Sequence, residues 1–330
     1  MYVLKVGKMI KKIGILTSGG DSPGMNAAIR AAVRTGISYG IEMYGISNGY
    51  KGLLNKEIFK MNRSSVSDIV NRGGTILKTA RLPEFKEEKV QLQAVEILKE
   101  AGIEALVVIG GDGSYRGAMD LTKHGINCIG LPGTIDNDIA STDFTIGFDT
   151  ALNTIIDAVD KIRDTTESHS RCSIIEVMGN KCGDLALYAG IAEGAEIIIT
   201  PDFLMSDEDV YSTLRKMREK DSNKRAIVIV SEKIYPDIHS FAKKIEENTG
   251  FNTRATVLGY IQRGGAPSAR DRVLAGRMGS YAIDLLVEGK GGRCVGIRGL
   301  ELEDYDIFEA LDMEKKINTS MINLVKKTNK

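Results

Sequence analysis

The chain has no tryptophan, six prolines, three histidines and four cysteines in 330 residues. Cys128, Cys172, Cys182 and Cys294 contain no Cys-x-x-Cys pair, and His124, His169 and His239 stand far apart. A zinc cluster of ordinary spacing and a disulfide framework are both excluded, and a reducing, cytoplasmic setting is expected. No run approaches the ~18 apolar residues of a membrane span. The apolar stretch at 13–16 is too short for a signal peptide, so no membrane association is expected. Neither charge sign predominates: Lys+Arg and Asp+Glu are both 44. Broad nucleic-acid binding, which needs a basic excess, is therefore not expected. A small anion held by a few local arginines remains open. Residues before Met9 read as a short extension, with Met9 an alternative start.

What is present points to an ordinary globular protein. The hydrophobic fraction is 42% and the charged fraction 27%, too apolar for disorder. The length favours two domains. Thirty-six glycines with few prolines imply many tight turns between regular elements. Short β-branched runs at 13–16, 105–109, 128–131, 173–177, 197–200, 226–230 and 256–261 alternate with amphipathic stretches. The latter lie at 25–33, 117–122, 150–163, 184–192, 206–220, 237–247 and 269–287. Leu152, Ile155, Ile156, Val159 and Ile162 recur at helical intervals. Ser206 reads as an N-cap before three acids, with Lys216, Arg218 and Lys220 near the helix end. Strand-then-helix repetition implies βαβ units and open, mainly parallel sheets. The tail after Val325 reads as a solvated end.

Ligands of open α/β sheets sit beyond the carboxyl ends of the strands, and three loops there carry chemistry. Thr-Ser-Gly-Gly-Asp-Ser-Pro-Gly-Met-Asn at 17–26 joins a strand to a helix. Its glycines let backbone N–H groups approach an anion at a helix start, although a plain tight turn has the same composition. Gly-Gly-Asp-Gly-Ser at 110–114 is neither a Walker A loop nor a G-x-G-x-x-G fingerprint. Its glycines allow contact with a polyphosphate, and Asp112 offers a hard oxygen to Mg²⁺. Pro-Gly-Thr-Ile-Asp-Asn-Asp at 132–138 ends an apolar run. There a carboxylate can take a proton from a hydroxyl nucleophile, and Thr134 can donate to a phosphoryl oxygen. An Asp/Asn-rich turn is the alternative. Arg171, Arg254 and Arg263, beside strand ends, are candidates for paired hydrogen bonds to phosphate.

These loops, in this order, resemble bacterial ATP-dependent 6-phosphofructokinases. So do Asn-Arg-Gly-Gly at 71–74, Val-Met-Gly at 177–179, Cys-Gly-Asp at 182–184 and Ile-Gln-Arg-Gly-Gly at 261–265. The resemblance runs from about residue 9 to about 298, and Gly-Gly-Asp-Gly together with Gly-Thr-Ile-Asp-Asn-Asp makes it specific.

The resemblance implies two similar three-layer α/β lobes: an ATP-binding lobe (9–147 plus about 262–310) and a sugar-phosphate lobe (148–261 plus about 311–330). It implies Mg-dependent transfer from ATP to the 1-hydroxyl of fructose 6-phosphate, in a homotetramer whose active site lies between lobes and across an interface. Asp136 would be the general base, Asp138 would support the reacting end, and Asp112 would hold Mg²⁺. Gly19, Arg81, Leu82, Gly111, Asp112, Gly113 and Ser114 would surround ATP. Thr134 and Ile135 would lie beside the transferring phosphate; Met178, Gly179, Asn180, Glu232, Tyr260 and Arg263 would face the sugar phosphate. Arg171 and Arg254 would arrive from a neighbouring subunit. Arg30, Arg34, Arg63, Arg163, Gly194, Glu196 and Lys224 would form an effector site for ADP and phosphoenolpyruvate. The segment near 221–225 departs from the family with a small insertion.

Pyrophosphate-using relatives carry Asp at the position of Gly113 and Lys at that of Gly133, so ATP is the expected donor. Two positions depart from the pattern. Tyr260 stands where His is usual, and Asn180 where Arg is usual, which removes a fixed positive charge near the reacting phosphates. Weaker fructose 6-phosphate binding or altered cooperativity is expected. The rival readings are a pyrophosphate-dependent sugar-phosphate kinase and a regulatory subunit of low activity.

Overall fold

A computed structural model describes residues 10–220 and 225–328, so Lys224 and the extension before Met9 lie outside the described residues. The elements in the first stretch of chain are β1 (Lys12–Thr17), α1 (Met25–Ser38), β2 (Glu42–Ile46), α2 (Gly49–Leu54) and β3 (Ile58–Met61). They continue with α3 (Glu88–Glu100), β4 (Ala105–Gly110), α4 (Asp112–Lys123) and β5 (Asn127–Pro132). Then come α5 (Phe148–Ser168), β6 (Cys172–Val177), α6 (Asp184–Ala192), β7 (Ile197–Ile199), α7 (Asp207–Lys220), β8 (Ala226–Ser231), α8 (Ile238–Thr249) and β9 (Thr253–Val257). The chain ends with α9 (Ala269–Val287), β10 (Arg293–Arg298), β11 (Glu301–Asp306), α10 (Ile307–Asp312) and α11 (Thr319–Thr328).

Two compact units result. The first contains 1–135, 139–149 and 263–315; the second contains Asp136–Asp138, Thr150–Gln262 and Lys316–Lys330. The first holds a seven-stranded sheet in the order β11-β10-β5-β4-β1-β2-β3. Its interior pairings are parallel, and β3 and β11 close the edges as antiparallel strands. β4 is buried along its whole length, as a strand covered on both faces must be. Ile13, Ile15, Val107 and Ile109 pack with α1 and α9 on one face. Leu16, Leu106 and Val108 pack with residues of α2, α3, α4 and α10 on the other.

The second unit holds four parallel strands in the order β7-β8-β6-β9. Cys172, Ile174, Val228 and Val230 face α7 and α8. Ser206 caps α7 by accepting the amide of Asp209 at 3.1 Å.

The structure differs from the sequence expectation at two places. The apolar stretch 256–261 is not one strand: β9 ends at Val257, and Gly259–Arg263 forms a 3₁₀ turn. Gly259 takes φ +57, which ends the extended run in a conformation only glycine adopts cheaply. The loop read at 110–114 is already helix from Asp112 onward. After Val325, helix α11 continues to Thr328, and Lys326, Lys327 and Thr328 are exposed, as expected of a solvated end.

Glu176 interrupts the apolar sequence of β6, in register with Val230 and Val257. Burial first, then the nearby Glu232 carboxylate, raises its pKa above the ordinary carboxylate range, with His239 opposing. A folded pKa above the unfolded one means stability is lost as pH rises through the folded value and is regained fully below the unfolded value, about 4.3. Glu176→Gln is therefore expected to raise the melting temperature at pH 7 and to give no gain below about pH 4. Thermal melts of both proteins at the two pH values check this; an equal difference at both would contradict it.

Candidate active site

In the first unit, three chain segments converge on the carboxyl ends of β1, β4 and β5. Ser18 donates its amide to the Ile109 carbonyl at 3.0 Å, which fastens the 17–26 loop to β4. Gly19 turns with φ +85, and a Cβ built there would lie 3.4 Å from Ser114 Oγ. Gly20 makes a different contact. Its backbone lies under the Arg263 guanidinium, so closely that a Cβ would fall 2.6 Å from Nη1. Arg263 thus belongs with the glycine loop of this unit. Gly20, which the motif reading did not single out, permits that approach because it has no side chain.

Asp112, Gly113 and Ser114 form the first turn of α4. The Ser114 amide donates to the Gly111 carbonyl at 2.9 Å, whereas the earliest N–H groups of a helix have no acceptor four residues back and can serve as anion donors. Nothing lies within 4 Å of a Cβ built on Gly113. Asp112 pairs with Arg116 one turn on, at 2.9 and 3.3 Å. Thr134 follows β5, and its carbonyl accepts the Thr145 hydroxyl at 2.6 Å. Ile135 is buried beside it in sequence. Arg81 is exposed, and half-buried Leu82 precedes a 3₁₀ turn at Pro83–Lys86.

Two aromatic residues that no motif marked support this turn. The Tyr50 hydroxyl donates to the Ser114 carbonyl at 2.7 Å, and its ring stacks on Phe85 at 4.2 Å. Their signal in the sequence is weak: each is one aromatic residue within an otherwise unremarkable segment.

Among the described residues, no group of three or more His, Cys, Asp or Glu is placed to hold a metal. The hard carboxylate of Asp112 at a helix start still fits Mg²⁺, which keeps most of its waters and is usually held by one or two carboxylates together with substrate phosphates. The residues therefore suit a metal delivered with a polyphosphate, provided the Arg116 pairing yields.

In the second unit, Asp136–Asp138 lies with the loops that follow β6 and β8. Asn137 is buried, takes φ 52 and donates Nδ2 to Asp184 Oδ2 at 2.8 Å. The Asn137 carbonyl also meets Cys182 Sγ at 3.6 Å. Asn180 donates Nδ2 to Asp138 Oδ2 at 3.2 Å, and its amide to Glu232 Oε1 at 2.8 Å. The Met178 amide donates to Gln262 Oε1 at 3.1 Å. Met178, Gly179, Asn180 and Glu232 are thus drawn together with Asp138. Tyr260 is 79% exposed on the 3₁₀ turn.

Arg171 and Arg254 do not join them. Arg171 precedes β6 and Arg254 sits second in β9, with Nη1 3.6 Å from Glu246. Because these strands run parallel, both arginines mark the starting edge of the sheet. One β6 length, about 20 Å at 3.3 Å per residue, separates that edge from Met178.

The effector candidates fall into two sets. In the first unit, Arg34 on α1 is held below its usual pKa by burial, then by Arg30 and Arg63, with Asp68 opposing. In the second unit, Arg163 pairs with Glu193 at 2.8 Å, and Glu196 accepts the Ile227 amide at 2.7 Å. Gly194, with φ +58 and open space around it, lies between them in sequence. None of the cysteines is a candidate nucleophile. All are buried, and burial pushes the Cys128 and Cys172 thiols up to about 12.

Comparison with known proteins accords with this geometry. The profile of the phosphofructokinase family matches residues 12–286. The chain is 58% identical over 317 residues to the ATP-dependent 6-phosphofructokinase of Bacillus thuringiensis (strain Al Hakam), covering 96% of this chain and 99% of that one. A protein of the same description from Bacillus anthracis (strain CDC 684 / NRRL 3495) matches equally. The Saccharomyces cerevisiae phosphofructokinase structure superposes with a TM-score of 0.85 at 36% identity. That match covers 97% of this chain and spans 48% of the yeast one. A pyrophosphate-dependent phosphofructokinase from Marinobacter aquaeolei shares the fold, with a TM-score of 0.83 at 21% identity. No helix among the described residues is long and apolar enough to cross a membrane. The chain belongs to the phosphofructokinase family.

Proposed function

We propose that this chain transfers the γ-phosphoryl group of ATP to the 1-hydroxyl of fructose 6-phosphate. The observation that carries this reading is the first turn of α4, where Gly113 leaves its surroundings open to a nucleotide phosphate next to Asp112. Phosphoryl transfer asks the protein mainly for positioning and charge stabilisation. The α4 amides receive the phosphates, and Thr134 donates to the transferring group. Asp136 takes the proton of the attacking hydroxyl. Asp138, oriented by Asn180, sits two residues on. Met178, Gly179 and Glu232 hold the sugar, and Arg263 its phosphate. Mg²⁺, bound with the nucleotide at Asp112, supplies charge neutralisation on the phosphates.

Arg171 and Arg254 act on a neighbouring copy in a homotetramer; their position on the starting edge of the second sheet supports that role. Arg30, Arg34 and Arg63, with Arg163, Gly194 and Glu196, serve ADP activation and phosphoenolpyruvate inhibition. Burial, and then the nearby Arg30 and Arg63, depress the Arg34 pKa, and such a cluster of arginines suits an anion. The setting is the cytoplasm, and the buried thiols accord with it. Steady-state assays of the purified chain, with fructose 6-phosphate and either ATP or pyrophosphate, test the reading. Turnover with ATP and none with pyrophosphate is expected; the reverse would overturn the choice of donor, and no turnover with either would overturn the reaction.

A further inference from the structure

Asn180 occupies a position where related enzymes carry arginine, and the structure shows what stands beside it. Lys233, in the turn after β8, donates its ammonium to Asn180 Oδ1 at 2.7 Å. The same amide donates Nδ2 to Asp138 Oδ2 at 3.2 Å. Asn180 is held for this double task, because its backbone amide is fixed on Glu232 Oε1 at 2.8 Å. The three side chains therefore form a line: cation, amide, carboxylate. We infer that Lys233 is a positioning residue for the transfer reaction, acting through Asn180 on Asp138 in place of the missing arginine.

The physical argument rests on the direction of each bond. An ammonium on the amide oxygen makes a charge-assisted bond. It polarises the amide and strengthens the N–H donation at the other end. The amide's orientation is also settled: the oxygen faces the ammonium and the NH₂ faces the carboxylate, as each partner's chemistry requires. Without Lys233 the amide could turn its oxygen toward Asp138, and a carboxylate and a carbonyl oxygen repel. Lys233 is exposed, so the cation keeps most of its hydration, and its effect passes through geometry more than through bare charge. An arginine at 180 would bring a full charge to the carboxylate; the Lys233–Asn180 pair brings a neutral donor held by a charge one residue further away. Neither motif nor spacing joins 180 to 233 in the sequence. The juxtaposition exists because β6 and β8 are parallel neighbours, with Val177 opposite Ser231, and both loops leave from the same sheet edge.

This inference rests on the reading under Proposed function. The test uses the full chain and five proteins: the parent, Lys233→Met, Lys233→Arg, and Asn180→Ala with and without Lys233→Met. Lys233 has φ 68, so Met and Arg share the conformational cost of lysine there, whereas glycine would confound the comparison. With ATP and fructose 6-phosphate, Lys233→Met is expected to lower kcat about 5–10-fold, the scale of one charge-assisted hydrogen bond acting indirectly. KM for ATP is expected within twofold of the parent, and melting temperature unchanged. Lys233→Arg should recover most of the loss. In the Asn180→Ala background, Lys233→Met should cost nothing further, because the intermediary is gone.

A kcat for Lys233→Met within twofold of an active parent would overturn the inference alone. So would an undiminished further loss in the Asn180→Ala background, since lysine would then act without the amide. A parent inactive on fructose 6-phosphate would overturn the reaction assignment and this inference together.

Discussion

Replacing Asp136 with Ser is expected to lower kcat by about 10²–10⁴-fold, the usual worth of a general base, while ATP continues to bind. The separation of the two effects follows from placement. Asp136 belongs to the second compact unit, whereas the glycine-rich turn that receives phosphates belongs to the first. Serine can hydrogen-bond to a hydroxyl but cannot take its proton near neutral pH. KM for fructose 6-phosphate should move less than kcat, because the lost interaction develops as the proton leaves. Asn137 and its bond to Asp184 stay intact in this variant, so the neighbouring Asp138 is expected to keep its orientation. Stopped-flow or steady-state kinetics, with nucleotide binding by calorimetry, measure both quantities. Near-normal turnover would remove Asp136 from the mechanism; loss of ATP binding in parallel would point to a damaged fold instead.

The second large effect concerns Gly113. Changing it to Asp is expected to leave the protein folded and to lower kcat/KM for ATP about 10²–10³-fold. The structure separates bulk from charge here. A Cβ at 113 meets nothing within 4 Å, and an acid in the first turn of a helix favours the helix, so melting temperature should hold or rise. Against an incoming phosphate the same carboxylate is repulsive. Two unit charges 4 Å apart interact by about 4 kcal/mol at an effective dielectric of 20, and each 1.36 kcal/mol is tenfold in rate. Gly113→Ala supplies the control and should cost little. Gly133, the other position that differs in pyrophosphate-using relatives, behaves oppositely. A Cβ there would come within 2.8 Å of Ile109 Cγ2 and 3.1 Å of Met25 Cε, both in the buried core. Gly133→Lys is thus a packing lesion in this chain before it is a change of donor. A Gly113→Asp protein with parental ATP kinetics would refute the phosphate assignment of the α4 turn.

Much of the architecture could be read from local pattern. The runs at 105–109, 184–192 and 269–287 became β4, α6 and α9 within a residue or so, because buried parallel strands are continuous apolar runs and helices repeat every three to four residues. Strand β2 and the edge strands β3 and β11 carry no such signal. Each mixes charged and apolar residues, as Glu-Leu-Glu-Asp-Tyr-Asp in β11 does, and each is held by pairing with a neighbour rather than by its own composition. The 3₁₀ turn at Gly259–Arg263 misleads for the converse reason: its apolar residues look strand-like, but Ile261 is 57% exposed and Tyr260 79%.

The chemistry divides in the same way. Glycine loops, the Asp-Asn-Asp run and the resemblance they carry belong to contiguous residues, so the one-dimensional order was sufficient to assign the family and to single out Asp112, Asp136 and Asp138 as candidates. Contacts between distant segments were beyond it. Gly20 beneath Arg263, Tyr50 beneath Ser114 and Lys233 beside Asn180 join positions 53 to 243 residues apart, as the differences between those residue numbers give. Sequence alone determined which groups this protein owns. Tertiary structure decided which of them face one another, because a hydrogen bond depends on a few ångströms of space that strand order and strand direction set, and chain distance does not.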